Sequence, residues 1–363
     1  MDLRVMLGED EVGRLRQGSG VVYFAYSREW LRDGFSLSPR SLPLDDRLFK
    51  GRANYFDGLP SVFADSLPGG WGMLTAVKAL ARRGIDYRGL GPLERLSYTG
   101  RDAKGALRYE PTGCDWDMPP LSDPDELCVE CISIMEEGPA DMDDIFRRAG
   151  STGGARPKVN AAIGGEEWIV KFRERHDPGS IGRMEFEYSE AAARCSIDVP
   201  EHRLLDSEMC DGYFASKRFD RDAGKGIHMI SLSGLLEVPT DLPLLDYLSF
   251  LQATRYVTRS QAEVVKAFRL SCFNVLAKNF DDHPGNFSYL YLPDEGRYVL
   301  SPAYDLTRTP NMREHHMTCL GNPLPGEKEL LALASEMNIP RGQAAEIVSR
   351  VGDVVSEDLS EWL

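Results

Sequence analysis

The first 110 residues carry short apolar and aromatic runs separated by Pro and Gly, a pattern that predicts strands joined by turns. The alternation in VVYFAY at residues 21–26 is the clearest strand signal. The segment MLTAVKALARRGI at residues 73–85 instead repeats apolar residues at helical spacing and ends at Gly84, which predicts a helix. We therefore expect a small α+β unit in this part of the chain.

The middle of the chain predicts a connector, then helices and a strand. The run EPTGCDWDMPPLSDPD at residues 110–125 is polar and rich in proline, as connectors are. Helical patterns follow at 125–138 and 141–150. WIVKF at 168–172 is typical of a short buried strand, and EFEYSEAAARCSI at 185–197 consists mostly of good helix formers.

The last third predicts mainly helix. Residues 199–221 contain two predicted strands, and 288–300 a hairpin that turns at Asp294, Glu295 and Gly296. The fold class we predict is α+β in two lobes, the first rich in strands and the second mostly helical. The expected divisions are an N-terminal subdomain, a connector with a helix, a small mixed lobe and a helical lobe, at residues 1–110, 111–150, 151–220 and 221–363.

Charge and composition narrow the classes of function. The 363 residues carry a net charge of -15 spread along the chain, a surface that should repel phosphate backbones, so direct nucleic-acid binding is disfavoured. No run approaches the roughly 18 apolar residues of a membrane span, and the first residues lack a secretory layout. We therefore expect a cytoplasmic protein.

The seven cysteines, an odd number, suit a reducing compartment better than a disulfide framework. Cys128 and Cys131 form a lone C-x-x-C without a second Cys/His pair at metal spacing. Two buried thiols on one helical turn explain them better than a zinc or redox site.

Two carboxylates and an amide recur at informative spacing in residues 277–306. Asp281 and Asn286 stand five apart, as the catalytic-loop Asp and Asn of protein kinases do, and Asp305 follows after the hairpin. Phosphoryl transfer needs a carboxylate that orients the attacking hydroxyl, and hard oxygen ligands that hold Mg²⁺ against the phosphates. Asp281 suits the first task, and Asn286 with Asp305 the second.

Two other interpretations of this cluster remain open. Asp, Pro, Gly and Asn are turn formers, so residues 281–286 would also suit an exposed turn. Alternatively Asp281, Asp282 and His283 would be ligands of a hydrolytic metal centre, with His315-His316 as the additional histidine pair. Asp282 also competes with Asp281 for the role of base, and the spacing to Asn286 favours Asp281.

Upstream, GSTGGARPKVN at residues 150–160 has the small residues that let backbone N–H groups approach phosphate, without the spacing of a Walker A loop. Lys171 follows on the predicted strand, where a kinase places its phosphate-pairing lysine. An interior-facing lysine needs a partner. Glu185, at the start of the next helix, is the first choice and Glu187 the reserve.

Several strings in this order resemble the signatures of HipA-type kinases. They are FDGLP at 56–60, GRDAKGA at 100–106, STGGARPK at 151–158, KRFDR at 217–221, NFDDH at 279–283 with NFS at 286–288, and LSPAYDL at 300–306. The resemblance covers nearly the whole chain.

The resemblance implies a two-lobed, kinase-like fold and a serine/threonine protein kinase that uses ATP and Mg²⁺. It implies the toxin of a toxin-antitoxin pair, restrained by a small helix-turn-helix HipB-like antitoxin that contacts DNA. The implied substrate is a translation component such as an aminoacyl-tRNA synthetase, and Ser151 falls at the family's autophosphorylated serine. Asp281, Lys171 and Glu185 would be catalytic.

The resemblance also implies a nucleotide-binding set. It consists of Ser151, Gly153, Gly154, Ala155, Lys158, Lys171, Lys217, Arg218, Phe219, His283, Asn286 and Asp305. Residues 217–219 would form the strand that links the lobes and pairs with adenine, although KRFDR alone equally suits a salt-bridged surface strand. Pro157 departs from the loop pattern because it removes one backbone donor. A non-catalytic scaffold and a small-molecule phosphotransferase are the competing functions.

Overall fold

The computed structural model describes residues 1–18, 20–52, 54–100, 103–113 and 118–363. Arg101, Asp102 and Cys114, which the sequence analysis includes, lie outside these residues. The chain forms two compact units. The first comprises Met1–Arg183 and His202–Ile230, and the second Met184–Glu201 and Ser231–Leu363.

The first unit begins with an antiparallel five-stranded sheet in the order β4-β3-β2-β1-β5. Its strands are β1 Asp2–Leu7, β2 Asp10–Gly18, β3 Val21–Tyr26, β4 Phe49–Lys50 and β5 Leu107–Glu110. The strand predicted at 21–26 is confirmed. Strands β1 and β2 were not predicted, because their charged residues on the solvated face of the sheet alternate with buried Leu3, Val5 and Leu15.

Short helices connect the strands of this sheet. They are α1 Arg28–Asp33, α2 Ser61–Ala64, α3 Gly70–Arg82 and α4 Pro92–Ser97, with 3-10 turns at Phe56–Gly58 and Tyr87–Gly89. Helix α3 confirms the helix predicted at 73–85, although it starts three residues earlier. Gly84 follows its end with a φ of 75°, a left-handed conformation that glycine adopts without steric cost.

A second antiparallel sheet in the first unit has the strand order β6-β7-β9-β8. Its strands are β6 Lys158–Ile163, β7 Glu166–Lys171, β8 His202–Leu205 and β9 Tyr213–Lys217. Helices α5 Pro124–Met135 and α6 Met142–Ala149 belong to the same core. Cys128 and Cys131 are fully buried there, and burial raises the pKa of both thiols, which confirms that they are core residues.

The second unit is mostly helical, as predicted. Its helices are α8 Leu232–Leu236, α9 Tyr247–Thr258, α10 Gln261–Leu276, α11 Glu327–Glu336 and α12 Arg341–Asp358. The predicted hairpin is present as β13 Ser288–Leu292 and β14 Arg297–Leu300. Two elements span the boundaries between the units, α7 Ile181–Arg194 and β12 Met229–Ser231. The first unit also contains a short antiparallel pair, β10 Arg221–Asp222 and β11 Lys225–Gly226.

The α+β fold class is therefore confirmed, with a strand-rich first unit and a helical second unit. The four sequence divisions at 1–110, 111–150, 151–220 and 221–363 stay a prediction. Within the described ranges, no helix combines the length and hydropathy required to cross a bilayer.

Candidate functional site

The loop after helix α10 carries two of the predicted functional residues. The chain leaves the helix through Lys278, which has a φ of 54°, and ends the loop in a 3-10 turn at Pro284–Asn286. Asn286 Nδ2 donates a 2.8 Å hydrogen bond to the main-chain oxygen of Asp281. This bond holds both residues at the same side of the loop and turns the amide oxygen of Asn286 away from that contact. The five-residue spacing thus has a direct structural cause.

Asp282 has a different environment from its neighbour Asp281. It is 1% exposed. The Tyr247 hydroxyl donates to its Oδ2, as does His315 Nδ1 at 2.8 Å, and the main-chain N–H of His316 donates to its Oδ1 at 2.8 Å. Burial, together with the Asp282 carboxylate, raises the pKa of Tyr247 well above its ordinary value, so the phenol remains a donor. Asp282 is a structural residue, whereas the half-buried Asp281 is the carboxylate that a substrate could reach.

This geometry corrects two of the sequence interpretations. The loop is not simply an exposed turn, because Asp282 anchors it in the interior. A hydrolytic centre would need Asp282 as a ligand, yet both of its oxygens already accept hydrogen bonds from the protein. Across the described part of the chain, no group of three or more His, Cys, Asp or Glu side chains could hold a metal ion.

The histidines around the loop have structural contacts. His283 Nδ1 accepts from the Gly285 N–H at 3.0 Å and so caps the 3-10 turn. Its ring lies edge-on to His316, with centroids 5.9 Å apart. Burial, followed by the nearby His283 ring, lowers the pKa of His316. His316 is therefore neutral at pH 7 and adds no positive charge to the site.

Asp305 is brought to the same loop by its neighbour Tyr304. The Tyr304 hydroxyl donates to the Gly285 carbonyl at 2.8 Å and contacts the Ser288 hydroxyl at 2.6 Å. Asp305 itself has a φ of 55°, a left-handed conformation that is strained for a residue with a Cβ and that recurs at functional sites. The structure therefore joins Asn286 to Asp281 and attaches Tyr304, the residue before Asp305, to the same loop of the second unit.

The glycine-rich loop lies in the first unit, between α6 and β6. Gly154 has a φ of 74°, and its carbonyl accepts from the Trp71 N–H at 2.8 Å at the start of α3. Ser151 is 2% exposed and accepts a 3.2 Å hydrogen bond from the main-chain N–H of Lys104. The predicted autophosphorylation site therefore has its hydroxyl inside the protein in this conformation.

The two predicted phosphate-binding lysines are neighbours in the second sheet. Lys158 and Lys171 are Cα partners in the β6–β7 register, so their side chains share one face. The ammonium group of Lys171 lies 5.7 Å from the ring centroid of Phe214. Glu187, one of the two candidate partners, accepts a 2.7 Å hydrogen bond from the Trp362 indole. The pairing of Lys171 with Glu185 or Glu187 stays a prediction. Lys171 belongs to the first unit and both glutamates to the second.

The KRFDR segment differs from the sequence expectation of a surface strand. Lys217 ends β9 and pairs with Glu166. The side chains of Arg218 and Asp220 are 3% and 8% exposed, and Asp220 bridges Arg218 at 2.8 Å and Arg221 at 3.1 Å. Burial alone would raise the pKa of Asp220, but the two guanidinium groups outweigh it and lower the pKa to about 2. The segment is salt-bridged, as one interpretation had it, but largely buried.

Several residues that hold the site were missed by sequence reasoning. Tyr247 and His315 lie more than 30 residues from Asp282 along the chain, and no local pattern marks them. Tyr304, in the LSPAYDL string, had no predicted role, although its hydroxyl binds the Gly285 carbonyl of the loop that carries Asp281. Lys104 lay within the GRDAKGA string and was given no role.

The fold defines a HipA-like α+β protein. A family model described as the HipA-like C-terminal domain matches residues 150–359, and one described as the HipA N-terminal domain matches residues 3–110. The chain belongs to the HipA family.

Comparison with solved structures supports this fold. HipA of Shewanella oneidensis, in a complex with HipB and operator DNA, matches with a TM-score of 0.74 at 19% identity, over 99% of this chain and 90% of that one. The proinflammatory kinase CtkA of Helicobacter pylori matches at 0.40 and 14% identity, over 56% and 90%. Choline kinase LicA of Streptococcus pneumoniae matches at 0.21 and 16%, over 55% and 73%. The last two scores are too low to support an argument, and the search of curated proteins found no match.

Proposed function

We propose that this chain is an ATP- and Mg²⁺-dependent serine/threonine protein kinase that acts as the toxin of a toxin-antitoxin pair. The observation that carries the proposal is the hydrogen bond between Asn286 and Asp281, on a loop that Tyr304, the residue before Asp305, also contacts. Membership of the HipA family supports it. A non-catalytic scaffold would not require a reachable Asp281 beside a buried Asp282.

Each residue has a task in this mechanism. Asp281 accepts a hydrogen bond from the acceptor hydroxyl, directs it toward the γ-phosphate and takes up its proton. The Asn286 amide oxygen and the Asp305 carboxylate are hard oxygen donors of the type that Mg²⁺ prefers, so the donor set fits this ion. When bound, Mg²⁺ would neutralise charge on the phosphate oxygens. The hydrogen bond to Asp281 and the Tyr304 contact hold these donors in position before substrate binds.

The first unit would hold the nucleotide. Lys171 binds its phosphates, and the loop from Ser151 to Lys158 covers them. The further nucleotide contacts we propose in this unit are Gly153, Gly154, Ala155, Lys217, Arg218 and Phe219. Glu185 and His283, which belong to the second unit, stay predicted site residues. Because Ser151 is buried, its autophosphorylation requires the loop to leave the conformation described here. The phosphate would then disfavour return of the loop by repelling ATP.

The partner we propose is a small helix-turn-helix antitoxin of the HipB type. The similar Shewanella oneidensis structure is a complex with HipB and operator DNA. Because this chain has a net charge of -15, we expect contact with DNA through the antitoxin. The proposed substrate is a translation component in the cytoplasm, such as an aminoacyl-tRNA synthetase, which connects phosphorylation to growth arrest.

The test is phosphate transfer by Asp281→Gln. We expect transfer from radiolabelled ATP in the presence of Mg²⁺ to fall by at least about 100-fold, because the group that orients the acceptor is lost. Asp294→Gln, in the exposed hairpin turn of the same unit, is the matched control and should retain activity. Intact-mass measurement after incubation with Mg-ATP adds a second readout. A phosphate on Ser151 supports the kinase, whereas wild-type protein of unchanged mass that labels no translation component supports the scaffold.

A further inference from the structure

The segment from Ala103 to Gly105 is held in place by hydrogen bonds to the main-chain groups of its first and last residues. Arg218 and Arg221 both donate to the Ala103 carbonyl, at 2.9 and 3.0 Å. Arg221 also donates to the Gly105 carbonyl at 2.7 Å, and the Gly105 N–H donates to Asp220 at 2.7 Å. The main chain on either side of residue 104 is therefore fixed by the KRFDR segment.

This anchor is a cluster of charges rather than apolar packing. The side chains of Arg218, Asp220 and Arg221 are all less than one-tenth exposed. Burying three charges is costly unless they are paired and their remaining donors are satisfied. Here the surplus guanidinium donors are satisfied by the carbonyls of Ala103 and Gly105. The cluster and the segment thus stabilise each other in one geometry.

Lys104, between these anchored residues, lies against the glycine-rich loop. Its main-chain N–H donates to the Ser151 hydroxyl at 3.2 Å. Its Nζ lies 3.5 Å from where a Cβ of Gly153 would be, and the Nζ of Lys158 lies 2.7 Å from where a Cβ of Gly154 would be. Two ammonium groups, one from the bend before β5 and one from the start of β6, therefore end at successive glycines of one turn.

Such an arrangement favours an anion. A phosphate at this turn would accept charge-assisted hydrogen bonds from lysine side chains that end there. Because Gly153 and Gly154 have no side chains, both ammonium groups come close to the main chain of the turn. The loop also lacks the N–H of Pro157, so cationic side chains supply donors that its backbone does not.

We infer that Lys104 is a phosphate-binding residue of the nucleotide site, contributed by the N-terminal HipA domain to the loop at residues 151–158. The ligand is the phosphate chain of a nucleoside triphosphate. This inference rests on the proposed function and adds to it a direct role for the N-terminal domain in nucleotide binding.

The test compares nucleotides that differ in phosphate number. ATP, ADP and adenosine are titrated by calorimetry, in the presence of Mg²⁺, into the full-length chain carrying Asp281→Gln, which keeps the protein unphosphorylated. Adding Lys104→Met should weaken ATP binding roughly tenfold or more, because a charge-assisted hydrogen bond is lost. The affinity for ADP should fall by a smaller factor, and the affinity for adenosine should not change.

Two variants control this experiment. Lys104→Arg keeps the charge and should restore most of the ATP affinity, whereas Lys225→Met removes an exposed lysine of the same unit and should have no effect. Because substitution at residue 104 keeps the main-chain bond to Ser151, the loop anchor is retained in each variant.

The outcomes separate this inference from the proposed function. Unchanged ATP affinity in Lys104→Met, or an equal loss for adenosine, would overturn the role of Lys104 while the kinase proposal stands. If the parent chain with Lys104 intact binds no ATP, both proposals fail. A loss graded with the number of phosphates and rescued by arginine supports the inference.

Discussion

The candidate catalytic loop of the second unit and the glycine-rich loop of the first unit are held in place by different means. Side-chain hydrogen bonds to one buried carboxylate, Asp282, anchor the candidate catalytic loop. The glycine-rich loop combines backbone contacts that glycine allows, such as the carbonyl of Gly154 against the start of α3, with the partly exposed ion pair of Arg156 and Asp177. The candidate catalytic loop is therefore anchored by one buried side chain, whereas the glycine-rich loop is held by several separate contacts.

This difference matches the tasks that we propose for the loops. A residue that orients an acceptor hydroxyl needs a fixed position, because small displacements cost large factors in rate. A loop that covers phosphates and carries a buried Ser151 must open before that hydroxyl can react. Backbone contacts around glycine break with less loss than a buried, fully bonded carboxylate does.

The largest effect on stability should follow from replacing Asp282, which anchors the candidate catalytic loop. Asp282→Ala leaves Tyr247 and His315 without their shared acceptor, and buried donors without partners are costly. We expect the free energy of unfolding of the second unit to fall by about 3–5 kcal/mol in urea titration. Asp281→Ala should change it by less than about 1 kcal/mol. Equal losses for the two variants would contradict the assignment of separate roles.

A smaller effect should follow from disturbing the glycine-rich loop. Gly70 has a φ of 44°, and a Cβ there would lie 1.9 Å from the Gly154 carbonyl oxygen, so Gly70→Ala must displace the loop. We expect a loss of about 3 kcal/mol in stability or a matching loss of ATP affinity, measured by urea titration and calorimetry.

Gly84→Ala is the matched control for this variant. Gly84 also has a positive φ, of 75°, but has no atom within 4 Å of a built Cβ. Gly84→Ala should lower the free energy of unfolding by about 1 kcal/mol, because alanine is disfavoured in the left-handed conformation. It should leave ATP binding unchanged. If Gly70→Ala has the same small effect, the close packing of the glycine-rich loop on α3 does not contribute to stability or to ATP binding.

The smallest expected effect is the change with pH in the stability contributed by the buried charge cluster of Arg218, Asp220 and Arg221. The pKa of Asp220 is lowered in the folded chain from 3.8 to about 2, so its stabilising contribution is present above pH 3.8 and is lost as the pH falls through about 2. The full contribution is on the order of 2 kcal/mol. The difference in unfolding free energy between wild type and Asp220→Asn should therefore shrink from pH 5 to pH 2.

Asp222→Asn, in an exposed position beside the cluster, should differ little from wild type over the same pH range. A difference for Asp220→Asn that stays constant with pH would show that charge pairing is not what holds this cluster. Urea titrations at several pH values provide the measurement for both variants.

Much of the fold could be predicted because the signals were local. The alternation at 21–26, the helical repeats on α3 and α5 and the hairpin turn at 293–296 all lie within one element or turn. The first two strands were missed because charged residues on their solvated face interrupt the apolar pattern. The candidate catalytic loop was found for the same local reason, since Asp281 and Asn286 are joined by a hydrogen bond across five residues.

By itself the amino-acid sequence determined the order of strands and helices, the spacing of Asp281 and Asn286, and the strings that assign the chain to its family. Only the tertiary structure decided that Asp282 is buried, that KRFDR clamps the segment around Lys104, and that Ser151 faces inward. The physical reason is that burial and hydrogen-bond partners depend on residues distant along the chain, which meet only when the elements pack.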